Sequence, residues 1–279
     1  MTTICVTGAS GKAGRATVSE LLEHGYDVIA TDLRAPGRDI GTPVLLADLT
    51  DLGQAVEALD GADMVVHLAN IPAPGIHPPA TTFTANIAMN YNVFSAATRL
   101  GHRRVVWASS ETTLGLPFDT PPRYAPVDED HYPYPTTSYA LSKVATETVA
   151  EQFAAWSGIP FLALRFSNIF DPAEYPGLRA AQADAPARRW NLWGYVDQRD
   201  VAASCRNALE AEVAGCSSYI IAAADTVMDR PSAELLREVY PDTPLAREIG
   251  EHETLLSIDR ARAVLGYAPR HSWRDHRAT

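Results

Sequence analysis

Tyr139 and Lys143 stand four residues apart, a spacing that places both side chains on one face of a helix. An ammonium close to a phenol stabilises the phenolate and lowers the pKa of the phenol. Tyr139 would then act as a general base toward a hydroxyl, or as a general acid toward a carbonyl. Ser109 and Ser110 end an apolar run and could supply a second donor that fixes the reacting oxygen. The alternative is a chance pair of polar residues on an exposed helix.

A second group of residues indicates a dinucleotide site at the start of the chain. Gly8, Gly11 and Gly14 lie between an apolar strand that ends at Val6 and a helical run. Glycines at this spacing permit a tight turn, the approach of a pyrophosphate to the backbone, and close packing of helix on strand. The helix N-terminus would offer unpaired N–H groups to phosphates. The alternative is a glycine-rich turn in some other α/β protein.

Asp32 closes the second predicted strand, where a carboxylate that binds ribose is expected. Such a carboxylate accepts both ribose hydroxyls and repels a 2′-phosphate, so the sequence favours NAD over NADP. Arg34 and Lys12 could instead reach a 2′-phosphate, which keeps NADP open.

Short apolar runs alternate with helical patterns and predict an α/β fold, a doubly wound parallel sheet of the Rossmann type. The predicted strands are Thr3–Val6, Asp27–Thr31, Val44–Ala47, Met64–Leu68, Val105–Ala108 and Phe161–Arg165, with helices near 12–24, 51–59, 82–100 and 137–157. We expect residues 1–170 to form the dinucleotide-binding domain that carries the catalytic serine, tyrosine and lysine.

Residues 171–279 are predicted to form a small C-terminal substrate-binding lobe that belongs to the same compact unit. The predicted elements there are strands at 191–196 and 218–222 and helices at 199–211, 231–239 and 257–265. A proline-rich connection at 115–137 precedes the tyrosine. Long loops in compact domains are often functional, so this one is either a functional lid or a surface excursion.

Composition excludes several classes of partner. The formal net charge is −11 and there is no basic run, which argues against a nucleic-acid partner. No apolar segment is long enough to span a membrane, and no secretion signal precedes the first strand. Three scattered cysteines indicate neither disulfides nor a metal site. We therefore expect a cytoplasmic protein that acts on a small molecule without a metal.

The chain resembles the extended short-chain dehydrogenases/reductases of the NAD-dependent epimerase/dehydratase family, and in particular its uronate dehydrogenase-like members. The matching segments are the glycine turn, Asp48-Leu49, His67-Leu68-Ala69, Asn86-Ile87, Ser109-Ser110, the Tyr139/Lys143 pair and Leu164–Ile169. The resemblance implies that the cofactor contacts are Gly8, Ser10, Gly11, Lys12, Ala13, Gly14, Asp32, Leu33, Arg34, Asp48, Leu49, Leu68, Ala69, Asn70, Asn86, Ala108, Tyr139, Lys143 and Phe166.

The resemblance also implies roles at the reaction centre. By spacing, Ser110 is the better catalytic serine and Ser109 the runner-up. The implied substrate contacts are Ser109, Ser110, Glu111, Asn168 and Arg179. If the substrate carries a carboxylate, Arg165, Arg179, Arg188 and Arg189 are candidates to hold it. The resemblance further implies a homodimer formed through helices 82–100 and 137–157.

Departures from the family narrow the chemistry. Dehydratases carry an Asp-Glu pair after the catalytic hydroxyl residue, whereas Glu111-Thr112 stand there in this chain. The leading hypothesis is hydride transfer between nicotinamide and a hydroxyl or carbonyl carbon of a sugar, sugar acid or polyol. The alternatives are a nucleotide-sugar epimerase or dehydratase, and a regulator that senses NAD(P) without chemistry.

Overall fold

A computed structural model describes residues 1–276, apart from the side chains of residues 179–181. The strands are β1 (Thr3–Thr7), β2 (Asp27–Asp32), β3 (Val44–Leu46), β4 (Met64–His67), β5 (Val105–Ser110), β6 (Phe161–Phe166), β7 (Ile169–Phe170), β8 (Val196–Asp197) and β9 (Cys216–Ile221). The helices are α1 (Lys12–Glu23), α2 (Leu52–Leu59), α3 (Pro79–Leu100), α4 (Ser138–Ser157), α5 (Gln198–Glu210), α6 (Ser232–Val239) and α7 (Asp259–Leu265).

Seven strands form one parallel sheet in the order β3-β2-β1-β4-β5-β6-β9. The strand order changes direction between β1 and β4, and ligands of such sheets bind in the crevice at that point, beyond the carboxyl ends of the strands. The predicted fold class, a doubly wound parallel sheet, is therefore confirmed.

Side chains of β1 alternate between two hydrophobic cores, one on each face of the sheet. Ile4 and Val6 belong to the core on the side of α1 and α5, whereas Cys5 belongs to the core under α2, α3 and α4. This alternation follows from the two-residue period of a strand. Both faces are covered, so the central strands are buried along most of their length and mainly apolar.

The chain after residue 170 contributes to the main sheet as well as to the surface beside it. Strand β9 pairs with β6 along its full length, and α5 packs on α1. The predicted strand at 191–196 is wrong. A 3-10 helix ends at Asn191, and Leu192 and Trp193 both adopt positive φ angles (52° and 57°), which interrupt extended backbone. Only Val196–Asp197 forms a strand there.

The proline-rich connection packs against the C-terminal part of the chain. Leu116 and Phe118 are buried, and Ala125 and Val127 form isolated bridges with Leu245 and Leu256. This segment is therefore anchored at several points along its length.

No helix among residues 1–276 combines the length and apolarity needed to cross a lipid bilayer. Within the same residues, no three His, Cys, Asp or Glu side chains are grouped closely enough to hold a metal ion.

Candidate active site

The glycine turn between β1 and α1 is tightly enclosed on its inner side. Gly8 has a φ of +69°, and a Cβ on it would lie 2.6 Å from the backbone nitrogen of Ala69. A Cβ on Gly14 would lie 2.0 Å from the carbonyl oxygen of Gly8. Both positions therefore exclude any side chain. Gly11 meets only the Gly8 carbonyl, at 3.2 Å, so its outer side is open to an approaching group.

Asp32 braces this turn from the end of β2. Its two carboxylate oxygens accept hydrogen bonds from the backbone N–H of Ser10 (2.9 Å) and of Arg34 (3.1 Å). Gly11 is the N-cap of α1 and, because glycine has no side chain, it cannot cap the N–H groups of the first turn. The first-turn N–H groups, including those of Lys12 and Ala13, thus face outward with the positive end of the helix dipole. An open glycine and uncapped N–H groups fit a pyrophosphate.

Lys12 is directed elsewhere. Its ammonium donates to the carbonyl oxygen of Ile169 (2.9 Å) and pairs with the Glu174 carboxylate. The structure therefore places the Lys12 side chain against β7 and the segment that follows it, in contact with protein acceptors.

The remaining predicted cofactor contacts line the carboxyl edge of the sheet. Asp48 accepts from the N–H and hydroxyl of Thr50. The side-chain oxygen of Asn86 accepts a hydrogen bond from the Ile71 N–H (2.8 Å), and its nitrogen donates to the Ile71 carbonyl oxygen (3.2 Å). The other predicted cofactor contacts at this edge differ in exposure. Leu33 is exposed, Leu49 and Phe166 are buried, and the partly buried ones are Leu68, Ala69, Asn70 and Ala108.

The predicted catalytic residues meet where β5 ends and α4 begins. Tyr139 and Lys143 lie in the first two turns of α4, and the Thr137 side chain caps that helix. The Ser110 hydroxyl hydrogen-bonds to Tyr139. The Lys143 nitrogen lies 5.6 Å from the centre of the Tyr139 ring and donates to the carbonyl oxygen of Ala108 at 2.7 Å. Sequence spacing thus brings the three side chains to one place.

Burial governs the protonation of this pair. Burial raises the pKa of Tyr139 to about 12. The negative charge of Glu111 also raises this pKa, whereas the hydrogen bond with Ser110 lowers it. Burial lowers the pKa of Lys143 to about 7, although Glu147 opposes this change. The lowering of the phenol pKa expected from Lys143 is therefore wrong for this structure, because desolvation of the phenolate outweighs the hydrogen bond from Ser110.

Ser109 and Arg165 both bind the carboxylate of Glu147. The Ser109 hydroxyl donates to Glu147 at 2.6 Å, and the Arg165 guanidinium binds both oxygens of the same carboxylate at 2.7–2.9 Å. Because neighbouring strand residues face opposite sides of the sheet, Ser109 and Ser110 cannot both face Tyr139. Ser109 and Arg165 are thereby turned away from the predicted reaction centre, and Ser110 is the serine beside Tyr139.

Glu111 lies at the centre of a buried polar cluster that sequence reasoning found only in part. Its carboxylate faces the Ser167 hydroxyl, the backbone of Asn168, the Asn191 amide and the Arg188 guanidinium. Burial raises the pKa of Glu111 to about 7, although all four neighbours favour the charged form. Ser167 lies within the segment Leu164–Ile169 that the family resemblance singles out, whereas Asn191 is not predicted, because no local pattern links it to Glu111.

The other arginine candidates lie outside this cluster. Arg189 is half-exposed and lies 3.8 Å from Asp119. Arg179 was predicted as a substrate contact, but its side chain lies outside the described residues.

His67 belongs to a second buried cluster, on the α3 side of α4. Its Nδ1 lies 2.6 Å from the Thr7 hydroxyl and its Nε2 lies 2.9 Å from Asn90 Oδ1. The Asn90 amide nitrogen donates in turn to the Thr146 hydroxyl at 3.0 Å. Burial, aided by the charge of Lys143, lowers the pKa of His67 to about 3, so the ring is neutral.

Relatives with assigned activities include sugar epimerases and sugar dehydrogenases. A UDP-glucose 4-epimerase of Corynebacterium glutamicum is 24% identical, over 96% of this chain and 91% of the relative. An L-arabinose 1-dehydrogenase (NAD(P)+) of Haloferax volcanii is 27% identical, over 97% of each chain. A uronate dehydrogenase of Pseudomonas putida is 26% identical over 60% of this chain and 61% of the relative. The resemblance to uronate dehydrogenases is thus found again, although over a shorter stretch.

The fold recurs in a solved structure, a short-chain dehydrogenase/reductase superfamily protein from Agrobacterium tumefaciens with bound NAD. The TM-score is 0.75 at 23% identity, with 98% of this chain and 94% of that chain covered. The model of the NAD dependent epimerase/dehydratase family matches residues 4–214, which hold the glycine turn, Ser110, Tyr139 and Lys143. The chain is therefore an enzyme of the extended short-chain dehydrogenase/reductase type and belongs to the NAD dependent epimerase/dehydratase family.

Proposed function

We propose that the protein is an NAD-dependent oxidoreductase that oxidises a hydroxyl carbon of a small sugar, sugar acid or polyol, or reduces the matching carbonyl. The observation that carries this proposal is the meeting of Ser110, Tyr139 and Lys143 at the carboxyl edge of the sheet, beside the braced glycine turn. The full-length similarity to a sugar dehydrogenase supports it.

Each of the three side chains has a distinct task. Ser110 donates a hydrogen bond that fixes the reacting oxygen, while Tyr139 takes the hydroxyl proton in oxidation or returns it in reduction. Lys143 supplies positive charge near the phenol and a donor for a ribose hydroxyl. Bound NAD would supply the hydride acceptor. The buried position of Tyr139 and Lys143 excludes water from the proton transfer.

The first test measures NADH formation at 340 nm with NAD or NADP and a panel of aldoses, uronic acids and polyols. Tyr139→Phe should lower turnover roughly 10²- to 10⁴-fold, because the acid–base group is lost, and should leave NAD binding nearly unchanged. Tyr26→Phe is the matched control, since Tyr26 precedes β2 at the amino end of the sheet and its hydroxyl donates to Glu210. Turnover retained in Tyr139→Phe would remove the role assigned to this residue.

The preference for NAD rests on Asp32. Asp32→Ala should weaken NAD binding more than NADP binding, as measured by calorimetry for both cofactors. Asp32 also accepts hydrogen bonds from the N–H groups of Ser10 and Arg34. Asp32→Asn keeps one acceptor oxygen, so it separates the loss of charge from the loss of these hydrogen bonds. Equal weakening of both cofactors would contradict a ribose contact.

An epimerase is the second candidate, because UDP-glucose 4-epimerases are among the relatives over nearly the full chain. In that reaction the oxidised sugar stays bound and the hydride returns to its other face. NADH released into solution favours the dehydrogenase, whereas reduced cofactor that never leaves the site favours the epimerase. A regulator without chemistry would retain NAD binding and show neither.

We also propose a cytoplasmic homodimer, with a substrate-binding part within residues 171–279. The dimer would form through α3 and α4, which pack against each other and leave Tyr91 and Trp156 exposed. Val93 and Phe94 of α3 are fully buried in the core and are not available to such an interface. Sedimentation of the purified protein measures the oligomeric state directly.

A further inference from the structure

Buried polar atoms near Tyr139 lack hydrogen-bond partners. Among the described residues, Asn191 Oδ1 and Arg188 Nε have no hydrogen-bond partner, and Glu111 Oε2 and Ser167 Oγ make no hydrogen bond of good geometry beyond the contact between their own side chains. The residues Glu111, Ser167 and Asn191 are exposed by only 3%, 3% and 0%. Buried polar groups in folded proteins are normally paired, so four such atoms together indicate a place where a polar ligand completes the bonding.

Direct contacts show that these atoms form one cluster. The Asn191 amide nitrogen lies 3.4 Å from Glu111 Oε1 and donates to the carbonyl oxygen of Gly194 at 2.8 Å. Arg188 donates to the same carbonyl at 3.4 Å. A Cβ on Gly194 would lie 3.0 Å from the Ser167 hydroxyl, so this glycine brings the loop close to β6.

The cluster adjoins the proposed reaction centre. Glu111 follows Ser110 directly in the chain, and its charge acts on Tyr139. A substrate held at Ser110 and Tyr139 would therefore extend its remaining polar groups toward Glu111.

The kinds of unpartnered atom define the chemistry that fits them. An amide oxygen and a carboxylate oxygen accept hydrogen bonds, a guanidinium nitrogen donates, and a hydroxyl does both. A substrate hydroxyl can donate to the acceptors and accept from Arg188. A carboxylate or phosphate group can satisfy only the donors and would be repelled by Glu111. Since Glu111 balances the charge of Arg188, the cluster has no excess positive charge to hold an anion.

We propose that Glu111, Ser167, Asn191 and Arg188 recognise a neutral polyhydroxylated substrate, and that Glu111 determines selectivity against the corresponding sugar acids and sugar phosphates. This inference rests on the proposed oxidoreductase function and narrows its substrate class. Glu111 acts on the part of the substrate away from the reacting carbon.

The test compares sugars that share a skeleton and differ only at carbon 6. Glucose, glucuronate and glucose 6-phosphate form one set, and galactose and galacturonate form a second. At pH 8 the wild-type enzyme should show a kcat/KM at least about 10-fold higher for the neutral member. Glu111→Gln should narrow that ratio about 10-fold, with improved efficiency on the acids. Glu111→Asn repeats the comparison with a shorter neutral side chain.

Glu129→Gln is the matched control. Glu129 is also a buried carboxylate, but it accepts a hydrogen bond from the N–H of Ile220 in β9 and faces Arg260. Its loss should leave the selectivity ratio unchanged. A wild-type preference for the acids, or an unchanged ratio in both Glu111 variants, would overturn the inference.

A binding measurement separates this inference from the proposed reaction. Calorimetry of the same sugars with the NAD-loaded Tyr139→Phe variant reports recognition without turnover. Neutral sugars that bind there but yield no NADH with wild type support the recognition site and contradict the dehydrogenase. Equal NADH formation from neutral and acidic members supports the dehydrogenase and overturns the selectivity assigned to Glu111. Absence of both binding and turnover with every sugar overturns both.

Discussion

Two buried polar clusters lie beside helix α4, and they differ in how completely their hydrogen bonds are satisfied. In the His67 cluster, both ring nitrogens have partners, and Asn90 connects the ring to Thr146. In the Glu111 cluster, Asn191 Oδ1 and Arg188 Nε have no partner within the described residues, and Glu111 Oε2 and Ser167 Oγ have no hydrogen bond of good geometry beyond their mutual contact.

The difference separates a structural polar network from a binding site. A satisfied network stabilises the fold, because every buried group regains the hydrogen bonds that it lost from water. An unsatisfied cluster costs stability and persists where a ligand completes it. Burial alone does not distinguish them, since His67 and Glu111 are both nearly inaccessible to solvent.

The largest expected effect is the loss of the satisfied network. Asn90→Leu removes the partner of His67 and of Thr146, leaving several buried groups unpaired at about 1–3 kcal/mol each, so the free energy of unfolding should fall by about 3–5 kcal/mol. Asn191→Leu in the Glu111 cluster is the matched control and should cost less than half as much. Urea denaturation measures the unfolding free energy of both variants. Equal losses would contradict the stated difference between the His67 and Glu111 clusters.

The two clusters should also respond oppositely to pH. The folded-state pKa of Glu111, about 7, lies above the ordinary value of 4.5, so its contribution to stability is complete in acid and is lost as the pH rises toward 7. The folded-state pKa of His67, about 3, lies below the ordinary 6.5, so its contribution is present above pH 6.5 and is lost in acid.

Glu111→Gln should therefore stabilise the protein in alkaline solution and much less in acid. A pKa difference of this size corresponds to up to about 3 kcal/mol of unfolding free energy between pH 5 and pH 8. Denaturation of wild type and variant at both values gives the difference. A constant offset across that range would show that Glu111 does not titrate as its surroundings require.

The smallest expected effect concerns Ser167. Because the Ser167 hydroxyl makes no hydrogen bond of good geometry among the described residues beyond its contact with Glu111, Ser167→Ala should change the unfolding free energy by less than about 1 kcal/mol. The same change should lower kcat/KM roughly 3- to 10-fold, the effect of one hydrogen bond to substrate. A large loss of stability with unchanged kinetics would place Ser167 with the structural residues.

The sequence predicts the local geometry of the glycine turn and of the Tyr139/Lys143 pair better than that of the Glu111 cluster. The glycine turn, Asp32 and the Tyr139/Lys143 spacing are local patterns whose geometry follows from one strand, one turn and one helix. The six predicted strands of the first part are all present, with ends shifted by a few residues.

The Glu111 cluster joins residues that are 80 positions apart, such as Glu111 and Asn191. The bend that joins them depends on Leu192 and Trp193, two bulky residues with positive φ that no sequence rule assigns there. The pKa of Tyr139 likewise depends on how deeply the fold buries it, which residue spacing does not contain.

Strand β9 belongs to the main sheet, although it lies beyond the residues that match the family model. The family model ends at residue 214, whereas β9 begins at Cys216 and covers one side of β6. A fragment cut at the end of the family match would leave β6 as an open sheet edge, and all six of its residues, Phe161–Phe166, are buried in the intact protein. Such an apolar edge pairs readily with other chains, so the fragment should aggregate instead of folding as a smaller enzyme.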